Sequence, residues 1–258
     1  MKYIIRFILG FLFLIILLLV YVSVLWLLEF QESHFSNGYL NLTKYVEPLV
    51  LLGGVAIIYR FQKIKNPLRP VHLKIFLEGV FLTMFVEILI ELTAYQFETS
   101  TKFFSLNKNY DLTLIPLYFT GIFIAALLEE LFFRHYFFET IGRAIKKNEI
   151  LTIIISSIFF TLMHFQYYDN YSILFSTLIF GVLYAYLLVK YKTIWLPLGV
   201  HFGHNLFDYL FGSDIINLTS NDSFLYGNFR PVFTSIEILL IIFLLQYQKN
   251  MGIRIKEA

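Results

Sequence analysis

Long apolar runs separated by short polar connectors occupy almost the whole chain. They fall at roughly 7–28, 42–59, 73–95, 112–138, 150–166, 173–189, 193–211 and 231–247. Each is near the ~20 residues that an α-helix needs to cross the hydrocarbon core of a bilayer. Strict apolar–polar alternation is absent, which argues against a membrane β-barrel. The pattern therefore predicts an all-α polytopic transmembrane helical bundle of about eight spans. No internal repeat, linker or low-complexity stretch interrupts it. The connectors are too short to fold alone, so a single membrane domain over 1–258 is expected.

The charges sort with these spans. Lys2 and Arg6 precede the first run, whose 22 residues from 7 to 28 carry no charge. A secretory signal has an apolar core of only ~7–15 residues and a small-residue cleavage site. Leu27, Leu28 and Glu29 offer no such site, so a retained first helix is expected. With eight spans and the N-terminus inside, one side of the membrane holds fifteen basic residues: Lys2, Arg6, Arg60, Lys63, Lys65, Arg69, Lys74, Arg143, Lys146, Lys147, Lys190, Lys192, Lys249, Arg254 and Lys256. The other holds four, Lys44, Lys102, Lys108 and Arg230. Basic residues accumulate on the cytoplasmic side, so both N- and C-termini are expected there, in the plasma membrane if the host is bacterial. Sequons at Asn41, Asn217 and Asn221 fall in expected outer loops and carry little weight, because the motif arises readily by chance.

Composition narrows the function classes. The 258 residues are 58% apolar and 15% charged, with 30 Phe and a net charge of +2. That balance excludes a soluble globule and gives no signal for nucleic acid. Cysteine is absent, which removes disulfides, thiolate zinc sites, iron–sulfur clusters and a cysteine nucleophile.

Ionisable groups at membrane depth are costly, so their presence is a functional hypothesis. Span four carries Glu129, Glu130 and Arg134. Arg134 stands one helical turn beyond Glu130, so the two can pair. Glu129 points ~100° away and is left to act as a base. The same three residues could instead snorkel to water at the inner end of the span. Span five ends at His164, which by itself could be an interfacial residue. Span seven places His201, Asn205 and Asp208 on one face, with His204 beside them. That stripe suits a cavity or an interhelical hydrogen-bond seam. Gly199 and Gly203 permit close helix contact. Glu78, Glu87 and Glu91 in span three and Glu237 in span eight either line the same cavity or mark helix ends.

Three stretches, Glu129-Glu130-x-x-x-Arg134, Phe160-x-x-x-His164 and His201-x-x-x-Asn205, occur in this order on three separate spans. Together they resemble the signature motifs of the CPBP family, the CAAX-protease and bacteriocin-processing group, also called the ABI or type II CAAX prenyl endopeptidase group. The resemblance covers about 110–211, which is then the catalytic-motif core. It implies an intramembrane endopeptidase acting on a membrane-embedded or lipidated peptide or protein. By resemblance, Glu129 and His164 hold and activate the attacking water, Glu130 and Arg134 form a supporting ion pair, and His201 and Asn205 stabilise the oxyanion. Amide hydrolysis needs such a base, a positioned water and aimed donors.

Metal use is left open by the residues. Glu129, His164 and His201 make a His₂Glu set, which is also a catalytic zinc set. Catalysis by glutamate without zinc is the preferred expectation, because Asn205 is a poor zinc ligand and a good oxyanion donor. Two rival functions are kept: a non-catalytic interaction or immunity protein acting on a sensor kinase or bacteriocin receptor, and a transporter using the acids as proton relays. The depths raise one difficulty. At ~1.5 Å per residue, His164 lies ~21 Å and His201 only ~12 Å from the inner ends of their spans. Glu129 sits still nearer the inner end of its own, unless that helix runs on to about Arg143.

Overall fold

The computed structural model describes residues 1–31, 37–95, 105–106, 115–165, 168–211, 216–217 and 230–250. Among the described residues there are eight α-helices: α1 (Lys2–Gln31), α2 (Asn37–Gln62), α3 (Leu73–Tyr95), α4 (Ile115–Glu129), α5 (Glu149–Leu162), α6 (Tyr171–Tyr191), α7 (Trp195–Phe211) and α8 (Arg230–Asn250). Each predicted apolar run corresponds to one of them. Beyond the helices, Ser105–Leu106 (β1) and Ile216–Asn217 (β2) form a two-residue antiparallel pair. Three stretches, Lys2–Val24, Ile115–Gly142 and Tyr171–Tyr191, are long and apolar enough to cross a membrane on their own. Glu149–Leu162 and Pro231–Tyr247 are shorter apolar helices. The bundle also presents large apolar side chains outward, among them Leu9, Phe81, Phe85, Leu239 and Phe243. Such a surface suits lipid rather than water.

One of the sequon expectations changes: Asn41 lies inside α2, whereas Asn217 is in β2 within the connection from α7 to α8, and Asn221 is outside the described residues.

Helix ends follow local chemistry. Asn148 and Asn170 cap α5 and α6, their side chains accepting from the N–H groups of Leu151 and Ile173. These bonds satisfy donors that the first helical turn leaves open. Lys192 ends α6 in the left-handed conformation, φ 52°, and its N–H donates to the Leu188 carbonyl.

α7 is the centre of the bundle. Most of its residues are buried, from Leu196 to Tyr209, and it packs on α3, α4 and α6. Its closest partner is α3. A Cβ added at Gly199 would come within 2.2 Å of the Phe76 carbonyl oxygen, and one at Gly79 within 2.9 Å of Leu196 O. Only glycine permits this backbone-to-backbone approach. The remaining core comprises one cluster joining α3, α6, α7 and α8 and another joining α1, α2, α4 and α5.

Candidate active site

The helix beginning at Ile115 does not stop near 138. It continues as π-helix through Glu130–Tyr136 and Phe138–Gly142, giving an apolar stretch of 28 residues. Glu129 therefore stands near its middle, about 20 Å from either end at 1.5 Å per residue. The π turns redirect carbonyls, and side chains receive them. Tyr59 Oη donates to Leu131 O at 2.9 Å, Ser156 Oγ to Phe133 O at 2.6 Å and Thr140 Oγ1 to Tyr136 O at 2.7 Å. Single π turns within α-helices are frequent at functional sites.

The turn before α7 is itself buried, with Thr193 6% and Ile194 1% exposed, so α7 begins inside the bundle.

The side chains then meet. Glu130 and Arg134 are wholly buried, with Glu130 Oε2 3.5 Å from Arg134 Nε. The other oxygen of Glu130 accepts from His201 Nδ1 at 2.9 Å. His201 Nε2 faces Glu129 Oε2 at 3.5 Å. Glu129 is thus not left apart, as the sequence reading expected; it shares His201 with Glu130. Arg134 lies over the rings of Phe160 (4.2 Å) and Tyr184 (5.2 Å), and the faces of these rings attract its charge. Tyr184 also stacks on the His201 ring, centroids 4.6 Å apart and planes 15° apart.

His164 lies just beyond the end of α5, which stops four residues short of the predicted span. Its Nδ1 is 2.8 Å from the Phe160 carbonyl. A carbonyl only accepts, so Nδ1 carries the proton and Nε2 presents a lone pair. The same logic at His201 puts a proton on Nδ1, toward Glu130, and turns Nε2 to the cavity.

Glu129, His164, His201 and Asn205 line one cavity of about 450 Å³, which His204 and Asp208 also line. A second, apolar cavity of about 360 Å³ shares Glu129 and His164 and is walled by Phe11, Leu14 and Leu18 of α1, Leu51 of α2 and Phe132 and Phe133. The two cavities therefore meet at Glu129 and His164.

The other intramembrane acids separate. Glu78 pairs with Lys74 at 3.7 Å near the start of α3. Glu87 and Glu91 are buried further along α3. Glu87 Oε1 is 2.5 Å from His204 Nδ1, and Glu237 of α8 joins them. Sequence reasoning missed Tyr184 and Ser156. Tyr184 looks like any other aromatic in a span rich in them, and Ser156 becomes informative only once Phe133 O is known to lack its α-helical donor.

Zinc can be tested against this geometry. Glu129, His164 and His201 are suitable donor types, and each imidazole has its Nδ1 held by an acceptor, as metal-bound histidines do. Their donor atoms nevertheless do not converge. Among the described residues, the group with ligand atoms all within 4.8 Å of one another is Glu87, His204 and Glu237.

Residues 111–207 match the family model described as type II CAAX prenyl endopeptidase, Rce1-like. The matched stretch holds Glu129, Glu130, Arg134, Phe160, His164, His201 and Asn205, together with α4, α5, α6 and all but the last turn of α7. No curated protein matches the chain, and no solved structure does. Through residues 111–207, then, the chain is similar to the type II CAAX prenyl endopeptidase family, and Glu129, His164, His201 and Asn205 of that stretch line one cavity.

Proposed function

We propose that the chain is a multi-pass intramembrane endopeptidase of CAAX-protease type, with eight spans and both termini on the cytoplasmic side. Its substrate is a membrane-associated or lipidated peptide or protein. The observation that carries this reading is the convergence of Glu129, His164, His201 and Asn205 on one cavity inside an apolar bundle.

In the proposed reaction Glu129 takes a proton from a water that His164 Nε2 also holds. The hydroxide attacks the scissile carbonyl carbon. Asn205 donates an amide N–H to the oxyanion. His201 donates from Nε2 in its doubly protonated form, while Glu130 holds Nδ1 and Arg134 balances Glu130. Glu129 then gives its proton to the leaving nitrogen as the C–N bond breaks. The polar cavity receives the scissile peptide. The apolar cavity beside Glu129 and His164 suits the lipid or apolar flank of the substrate.

Zinc held by Glu129, His164 and His201 would supply a Lewis acid to the same water. The spacing of their donor atoms does not favour that assignment, and each step above uses only groups of the chain. Glutamate-dependent catalysis is therefore the proposed mechanism.

The test is cleavage of a panel of lipidated and membrane-spanning peptides by purified protein in liposomes. Glu129→Gln, isosteric and unable to act as a base, should abolish cleavage. Cleavage that survives Glu129→Gln would overturn the mechanism. A cellular phenotype that survives it, with no cleavage by the wild type, would favour the interaction-protein reading.

A further inference from the structure

We infer that Glu87, His204 and Glu237 form a second, non-catalytic site that takes a divalent cation of the zinc type and ties α3, α7 and α8 together. Their ligand atoms all lie within 4.8 Å of one another. Two donors each about 2 Å from zinc stand no more than about 4 Å apart, so closure needs only small side-chain shifts. Glu87 is 8% and Glu237 3% exposed, and His204 also lines the catalytic cavity, which provides an entry path.

A divalent cation suits the charge of this group, which is two carboxylates and an imidazole. Buried charge is costly unless it is paired. A divalent cation with a neutral imidazole brings the group to zero. Asp208 supports this arrangement. Its Oδ2 lies 3.8 Å from His204 Nε2, on the side where the remaining ring proton would point once Nδ1 binds the cation. A carboxylate behind a ligating histidine fixes tautomer and ring orientation in just this way. Phe180, with its ring centroid 4.0 Å from that of His204, holds the ring from one face.

His204 sits three residues beyond His201 and next to Asn205. A cation here would set the rotation of α7, and with it both proposed oxyanion donors, without touching substrate. Inhibition by a chelator would then not identify Glu129, His164 and His201 as zinc ligands.

The experiment removes the catalytic donors first. The Glu129→Gln/His164→Gln double variant, purified in detergent and stripped with a chelator, is titrated with zinc, and zinc per chain is counted after desalting. One zinc per chain is expected, together with a rise in the unfolding temperature. Adding Glu237→Gln or Glu87→Gln should weaken binding by on the order of 100-fold, and Asp208→Asn by about 10-fold, as loss of an outer-shell partner does. No zinc uptake by the double variant would overturn the inference, as would uptake unchanged by Glu237→Gln and Glu87→Gln. If these two variants fail to fold, the Asp208→Asn titration decides by the same criterion. None of these readouts depends on proteolysis, so the inference stands or falls apart from the proposed activity.

Discussion

Gly199→Ala tests whether the α3–α7 contact sets the catalytic geometry. The added methyl would stand 2.2 Å from the Phe76 carbonyl oxygen, 3.0 Å from its carbon and 3.2 Å from Gly79 Cα. All three are backbone atoms, so no side chain can swing aside. Cβ contacts essentially never fall below 3.0 Å, so the helices must part by at least about 0.8 Å at this point. Overpacking of this kind costs roughly 1–3 kcal/mol. The functional effect should be larger. His201 is two residues away on α7 and meets Glu129 and Glu130 on α4. Misplacement of a catalytic group by about 1 Å can cost ~100-fold in rate. We expect kcat to fall by about that factor while the protein remains folded, with a lower unfolding temperature in detergent. Gly53→Ala is the control, because nothing lies within 4 Å of its added methyl; it should leave both readouts at wild-type values. Wild-type rate and stability in Gly199→Ala would refute the argument that this contact positions His201.

Three further substitutions probe the support around the site. Arg134→Met should destabilise the protein by roughly 3–5 kcal/mol, because Glu130 is left buried without its cation; adding Glu130→Gln should recover part of that loss in thermal unfolding, and no recovery would argue against a coupled pair. Asn205→Ala should lower kcat by about 10²–10³ with little change in KM, as removal of an oxyanion donor does, and a KM-only effect would assign Asn205 to substrate binding. Tyr184→Phe keeps the ring that covers His201 and Arg134, so it should preserve most of the activity, whereas Tyr184→Leu should not; equal loss in the two would point to the hydroxyl instead.

The eight helices were legible because a 20-residue apolar run has few alternatives. Their boundaries were less so. Read from the sequence, span four ends near 138, because Glu139 and Arg143 look like the start of a polar loop. In the structure these two residues pair with each other one turn apart and half-exposed, and the helix passes through Glu139 to Gly142, with Arg143 as its C-cap. Span five looks longer than it is because Phe165 continues the apolar run, yet the chain leaves the helix at Leu162 and presents His164 from the turn. The π winding after Glu129 left no sequence signal, since it depends on donors from α2 and α5 that are 72 and 23 residues away.

The site residues were easier to name than to connect. Helical spacing puts Arg134 one turn from Glu130, and the pair is present, but spacing says nothing of the second Glu130 oxygen. That atom binds His201, 71 positions later. Likewise His201 and His204 appear as one polar stripe on α7. Three residues of α-helix rotate their directions by ~60°, and α7 lies between different neighbours. His201 consequently meets the acids of α4, whereas His204 meets Glu87 of α3 and Glu237 of α8. Arg134 pairs with the first group. The two proposals divide along this asymmetry on a single helix: a carboxylate–imidazole pair beside Arg134 that we propose faces the scissile bond, and a carboxylate–imidazole group that we propose takes a divalent cation.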